Sequence, residues 1–268
     1  MSKNKGRVYA SADWHGCGKL ANQVLEYLNP EDTLYFIGDA IDRGPDGLEI
    51  LDKLMVRPNT IFLKGNHEEM MADAIPYIAK EIADISYYGG NGYDLWYQNG
   101  GIETAKPLWE MDQARIFKYR KFIKEMPTEI KYLSPAGHTV ILEHAGYTPF
   151  NLPHRSHDSL WDREHFYDKW DNGYIREGMT SENTYLVHGH TPVQYLRLMY
   201  GYDGMKPLTR EEIKHKFDWY NKKEYFIPEI IRYADGHKFD IDMCTIVSKR
   251  IALLDLDTFE IKYFDEEE

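Results

Sequence analysis

Cysteine is scarce: Cys17 and Cys244 are the two in 268 residues, and they stand far apart in the chain. A disulfide framework is therefore excluded as the source of stability. Also missing is any apolar run near the roughly 20 residues that a bilayer-spanning helix needs. The opening MSKNKGRVYASAD is polar and has no apolar stretch of the secretory-signal kind. A cytoplasmic setting without membrane contact is the expectation. Positive charge is in deficit too: 32 Lys and Arg face 44 Asp and Glu, a formal net charge of −12. Binding nucleic acid or an anionic membrane needs clustered Lys and Arg, so neither partner is expected. The acidic end, Asp265-Glu266-Glu267-Glu268, reads as a solvated terminus. Acidity of the whole chain does not bar a phosphate ligand, because bound cations can reverse the sign of a pocket.

What is present is an ordinary globular composition, 43% hydrophobic and 28% charged, with enough apolar residues to build a core. No internal repeat, low-complexity block or Pro/Ser/Gly-rich linker divides the chain, so residues 1–268 read as one domain. RVYASAD (7–13), TLYFIGD (33–39) and TIFLKGN (60–66) are strand-like. Between them, Leu20, Val24, Leu25 and Leu28 mark one helix face and GLEILDKLM (47–55) another. Apolar strands alternating with amphipathic helices predict βαβ units and a mostly parallel sheet. Residues 67–126 read as mainly helical, with breaks near Gly89-Gly90 and at Asn99-Gly100-Gly101. Strands return with EIKYL, TVILEHAG, TYLVHG, KFDID, RIALLDLD and FEIKYF, which predict a second, mixed or antiparallel sheet packed on the first. A Tyr- and charge-rich stretch, 199–232, interrupts them as an inserted lid, a partner surface or a peripheral insertion.

Polar residues gather where the strands end. Asp13 and His15 follow the first strand, Asp39, Asp42 and Arg43 the second, and Asn66 and His67 the third. His144 follows a later strand, and His188-Gly189-His190-Thr191-Pro192 another. In α/β folds the loops beyond the carboxyl ends of parallel strands converge on one crevice. Any one residue has a plainer role: Asp13 could cap a turn, Asn66 could cap a helix, and His144 could be a hydrogen-bonded core histidine. Five strand ends acquiring such residues together is much harder to ascribe to chance. Oxygen and imidazole donors without cysteine suit Mn²⁺, Fe²⁺ or Zn²⁺. Asp13 with His15, and Asn66 with His144, could each take one ion, with Asp39 bridging the pair.

These segments resemble the phosphoprotein phosphatase family of calcineurin-like metallophosphoesterases, whose signatures are GDxHG, GDxVDRG and GNHE. Here they stand as Ala12-Asp13-Trp14-His15-Gly16, Gly38-Asp39-Ala40-Ile41-Asp42-Arg43-Gly44 and Gly65-Asn66-His67-Glu68. Trp96-Tyr97-Gln98-Asn99-Gly100-Gly101 and Trp161-Asp162-Arg163-Glu164 resemble the bacterial and lambda-phage branch. The resemblance implies a four-layer α/β/β/α sandwich with two mixed sheets. It implies two divalent ions, Mn²⁺ first, with Asp13, His15 and Asp39 on one and Asp39, Asn66, His144 and His190 on the other. His67 would be the general acid oriented by Asp42, while Arg43, Arg163 and Asn66 would meet the phosphate. The implied activity is a Ser/Thr protein phosphatase in which water activated between the metals attacks phosphorus in line. The substrate would be a phosphoprotein or a small phosphorylated molecule.

Two departures stand out. Ala12 replaces the usual Gly, and Ile241-Asp242-Met243-Cys244 stands where IDTG is usual, so no substrate contact is carried over from that wall. Related enzymes often use GHxH with both histidines as ligands, but Pro192 occupies the second place here. His190 is therefore the expected ligand, and His188 is read as packed behind it. Two other functions compete: a dinucleoside polyphosphate hydrolase, disfavoured by Asp42 and Glu68, and a silent scaffold, disfavoured by the complete residue set.

Overall fold

A computed structural model describes residues 6–79, 92–146, 159–163, 181–200 and 228–266. The expected break near Gly89-Gly90, Glu164, the last two residues of the acidic tail and residues 201–227 of the long stretch lie outside them. Among the described residues no helix is long and apolar enough to cross a membrane.

The first βαβαβ run folds as its periodicity predicts. Strands β1 (Val8–Ser11), β2 (Thr33–Phe36) and β3 (Thr60–Phe62) alternate with helices α1 (Gly18–Tyr27) and α2 (Gly47–Val56). β1 pairs in parallel with β2, and β2 with β3. α1 buries Leu20, Ala21 and Val24, and α2 buries Leu48, Leu51 and Leu54, the three-and-four spacing that makes one apolar helix face. Residues 66–125 supply α3 (Asn66–Ile78), α4 (Gly92–Trp96), α5 (Ile102–Trp109) and α6 (Gln113–Glu125). A π-helical turn, Tyr97–Gly101, joins α4 to α5 and kinks at Gly100, whose φ is +96°. That is the break read from Asn99-Gly100-Gly101.

The second sheet contains β4 (Glu129–Leu133), β5 (Thr139–Glu143), β6 (Thr184–His188), β7 (Ile231–Tyr233) and β8 (Lys238–Asp240) in the order β4-β5-β6-β8-β7. It is mixed: β5, β6 and β8 run parallel, and β4 and β7 are antiparallel edges. Helix α7 (Val193–Tyr200) follows β6 and precedes β7 in the chain. β9 (Arg250–Asp255) and β10 (Ile261–Asp265) correct the expectation that all late strands join this sheet. They return to the first, in the order β10-β9-β1-β2-β3, with β9 antiparallel to β1.

Alternation along β1 then divides the core. Tyr9 faces the helices with Leu34, Phe36, Leu51 and Met71, whereas Val8, Ala10 and Ala12 face the second sheet with Val140, Leu142, Val187 and Leu254. The result is an α/β sandwich in which two mixed sheets pack face to face with helices outside the first.

Candidate active site

All five polar strand ends meet in one crevice. The carboxylate of Asp13, after β1, accepts the His190 backbone N–H at 3.1 and 3.2 Å. Asn66 Oδ1 lies 2.9 Å from His144 Nε2 and 3.0 Å from His190 Nδ1. Asp39 Oδ2 lies 3.4 Å from His144 Nε2, 3.7 Å from His15 Nε2 and 3.9 Å from His67 Nε2. Two groups of donors follow, His15–Asp39–His67 and Asp39–His144–His190, and within each the ligand atoms lie within 4.8 Å of one another. Asp39 belongs to both. Asp13 stands a step back from the first group, its Oδ1 3.9 Å from His15 Nε2.

Strand-end turns make this convergence possible, and they are strained. Asp13, His15, Asp39, Asp42, Arg43 and His190 all have φ between 42° and 71°, a left-handed conformation costing about 1–2 kcal/mol for a side-chain-bearing residue. Cys244, where the resembling motif has Gly, also adopts φ 55°; the departure from IDTG is accommodated at that cost. The turns are held from below by Glu68. Its carboxylate accepts the backbone N–H groups of Asp39 at 2.7 Å, Ala40 at 2.9 Å and Gly65 at 3.0 Å. Burial, followed by the charge of Asp39, pushes the Glu68 carboxyl up to about 7. Gly65 therefore caps α3, with Glu68 reaching back from the third helical position. The capping role considered for Asn66 is not the one it takes.

The donor chemistry fits divalent cations. His15 Nδ1–H donates to the Ile41 carbonyl at 3.1 Å, which leaves its Nε2 lone pair facing the crevice. His144 Nδ1–H donates to the Ile37 carbonyl at 2.8 Å; burial lowers this imidazole, but the Asp39 carboxylate outweighs it and raises it above the usual histidine range. Burial, Arg43 and His67 hold His15 well below the usual histidine range. Burial, His144 and Arg163 do the same to His190, and neutral imidazole is the ligating form. Burial pushes Asp39 up, but His144, His67 and His15 outweigh it and hold the carboxyl well below its usual value. For Asp13 the balance is reversed: burial, then Asp242 and Asp39, raise it well above. Packing carboxylates this closely with lone-pair imidazoles is what a cation offsets.

Around these groups sit the other expected residues. Asp42 Oδ2 accepts His67 Nδ1–H at 2.7 Å. Arg43 lies 2.8 Å from His15 Nε2 and 3.1 Å from His67 Nε2, and its exposed guanidinium overhangs the first group. Arg163 is exposed beside the second, where Trp161 packs edge-on against His190 at 5.7 Å. Sequence reading missed the partners behind them. Trp96 Nε1–H donates to Asp42 Oδ2 at 2.6 Å, and Asp42 N–H donates to Thr104 Oγ1 at 3.0 Å. The Gly-x-x-Glu spacing of Gly65 and Glu68 is a legible capping signal; nothing in the spacing of Trp96 or Thr104 points at Asp42.

His188 is in neither group. Its Nδ1–H donates to the Gly189 carbonyl at 3.1 Å, and its Nε2 lies 2.6 Å from the Tyr233 hydroxyl. Burial depresses it to about 3, so from pH 6.5 downward the unfolded chain takes up a proton that the folded chain refuses. Stability falls with that acidification by up to about 1.4 kcal/mol per pH unit. In urea melts between pH 7 and 5, His188→Asn is expected to flatten the acid-side loss. An unchanged slope would place the sensitivity elsewhere.

The profile of the calcineurin-like phosphoesterase family matches residues 6–220. Serine/threonine-protein phosphatase 1 of Salmonella typhimurium is 26% identical over 200 residues, 72% of this chain and 82% of the relative. The symmetrical bis(5'-nucleosyl)-tetraphosphatase of Pseudomonas syringae is 40% identical, but over 65 residues, 23% of this chain and 22% of its own length. A serine/threonine phosphatase structure from Saccharomyces cerevisiae superposes with a TM-score of 0.53 at 14% identity, covering 100% of this chain and 82% of that one, and so shares the fold.

Proposed function

The chain belongs to the calcineurin-like phosphoesterase family, and from that premise we propose that it is a dinuclear-metal phosphomonoesterase acting on phosphoserine and phosphothreonine in proteins. The observation that carries the choice of substrate is the His67–Asp42 pair, joined at 2.7 Å beside the donor groups. A Ser or Thr alkoxide is a poor leaving group and needs a proton as it departs. A nucleoside polyphosphate departs as a stabilised phosphate anion and needs an acid far less. A site built around an oriented acid therefore favours the alkyl ester.

In this reading Asp13, His15 and Asp39 hold one divalent ion, and Asp39, Asn66, His144 and His190 the other. When bound, the ions supply Lewis acidity at phosphoryl oxygens and a nucleophilic water at neutral pH. Mn²⁺ suits the donors, as do Fe²⁺ and Zn²⁺. Arg43 and Arg163 present planar donor forks suited to the phosphoryl oxygens, with the Asn66 amide a further phosphate contact. As the P–O bond to the side-chain oxygen breaks, His67 Nε2 gives its proton to that oxygen. Asp42 keeps the other ring proton on Nδ1, which fixes the ring and stabilises the imidazolium before transfer.

The test is a side-by-side assay of the Mn²⁺-loaded protein on a phosphoserine peptide, p-nitrophenyl phosphate and diadenosine tetraphosphate. The peptide is expected to be hydrolysed with the higher kcat/KM relative to the dinucleotide. A strong preference for the dinucleotide would establish the polyphosphate reading instead.

A further inference from the structure

The Trp96–Thr104 segment has three polar contacts with the Asp42-Arg43 turn. Trp96 Nε1–H donates to Asp42 Oδ2 at 2.6 Å, Thr104 Oγ1 accepts the Asp42 N–H at 3.0 Å, and the Gly100 carbonyl accepts the Arg43 N–H at 3.0 Å. Both clamped residues sit in left-handed backbone, Asp42 at φ 71° and Arg43 at φ 66°, a conformation that persists where surrounding structure over-determines it. The clamp itself is rigid. Trp96 and Thr104 are buried, and a Cβ at Gly101 would come within 2.6 Å of the Trp96 ring. The kink at Gly100 is what brings that carbonyl to Arg43.

We propose that Trp96 and Thr104 are positioning residues for the general acid: they fix the Asp42 carboxylate so that His67 points its Nε2 at the departing oxygen. Asp42 Oδ2 accepts from His67 and Trp96 together, while Oδ1 takes no hydrogen bond among the described residues. The indole N–H is therefore the second anchor of this buried carboxylate, beside His67. The WYQNGG stretch, which the resemblance marks without giving it a task, acquires one here.

The proposal rests on the reading of His67 as the acid, and the experiment separates the two. Mn²⁺-loaded wild type, Trp96→Phe, His67→Asn and the double variant are assayed on a phosphoserine peptide and on 2,4-dinitrophenyl phosphate, whose leaving group needs no protonation. Trp96→Phe keeps an aromatic ring in the core and removes the donor. Its kcat on the peptide is expected to fall about tenfold, the order of one charge-assisted hydrogen bond, while its kcat on the dinitrophenyl ester stays within about twofold. In the His67→Asn background the same change is expected to cost nothing further. Thr104→Val is expected to show the same leaving-group-selective loss and Thr104→Ser to restore the wild-type pattern, a second route should Trp96→Phe fold poorly. Equal losses on both esters, or an undiminished loss in the His67→Asn background, would overturn the clamp alone. If His67→Asn itself loses no more on the peptide than on the dinitrophenyl ester, the acid reading falls and the clamp's role with it.

Discussion

Replacing His67 with Asn is expected to lower kcat on a phosphoserine peptide by about 10²–10⁴-fold, the usual contribution of a positioned general acid, while metal content stays at its wild-type value. The second half of that outcome carries the weight. His67 Nε2 lies 3.9 Å from Asp39 Oδ2, and its donors cluster with those of His15 and Asp39. Geometry alone would permit it to ligate. Its Nδ1 is engaged by Asp42 at 2.7 Å, an orientation that suits a ligand and a general acid alike, so the metal content of the variant is what separates the two roles. Metal analysis of the purified variant decides. An equal fall in bound metal and activity would make His67 a ligand; activity lost with metal retained makes it the acid. A variant as active as wild type on the peptide would remove His67 from the reaction and overturn its reading as the acid.

The second large effect is steric and independent of any metal. Gly65→Ala is expected to destabilise the fold by about 4 kcal/mol or more, the range reached when a substitution forces a packed core to move. Its Cβ would land on Asp39 Oδ1, and within 2.6 Å of both the Asp39 nitrogen and Glu68 Oε2. None of these can retreat cheaply. Asp39 N–H is tied to Glu68, its carbonyl accepts the His15 N–H at 3.0 Å, and Glu68 bears two further backbone N–H groups. Gly137, on the β4–β5 hairpin, supplies the control. It has φ +89°, and a methyl group added there would meet nothing within 4 Å, so Gly137→Ala should cost only about 1–2 kcal/mol of backbone strain. Urea unfolding of both variants measures the contrast. Comparable losses would mean that the Asp39 turn yields more readily than its hydrogen bonds imply.

Much of this was legible in the residues. Local pattern found β1, β2, β3 and the helices between them because short apolar runs alternate with helix-spaced apolar residues. Strand-end chemistry located Asp13, Asp39, Asn66, His144 and His190 together because parallel strands carry their carboxyl ends to one side. Sequence did not reveal which sheet β9 and β10 join, since RIALLDLD and FEIKYF read as strands whatever their neighbours. Pairing is a relation between residues some 240 apart, such as Tyr9 with Asp255. β7 escaped notice for another reason: three residues, Ile231–Tyr233, at the end of a charged stretch give too little alternation to count. In the site, the residues that converge could be read but their support could not. Trp96 reaches Asp42 across 54 positions, and the left-handed backbone of six site residues is imposed by the packing around them.

The return of β9 has a kinetic side. β1 sits between β2, made soon after it, and β9, made long after it, with Ser11 Oγ donating to the Ala252 carbonyl and Leu256 N–H to Val8. Contacts so distant in sequence slow folding, because the loop must close before they reward it. While the chain is still on the ribosome, β1 presents an unpaired edge beside the segment that bears Asp13 and His15. The first turn of the candidate site therefore stays open to misfolding partners until residues 250–256 arrive.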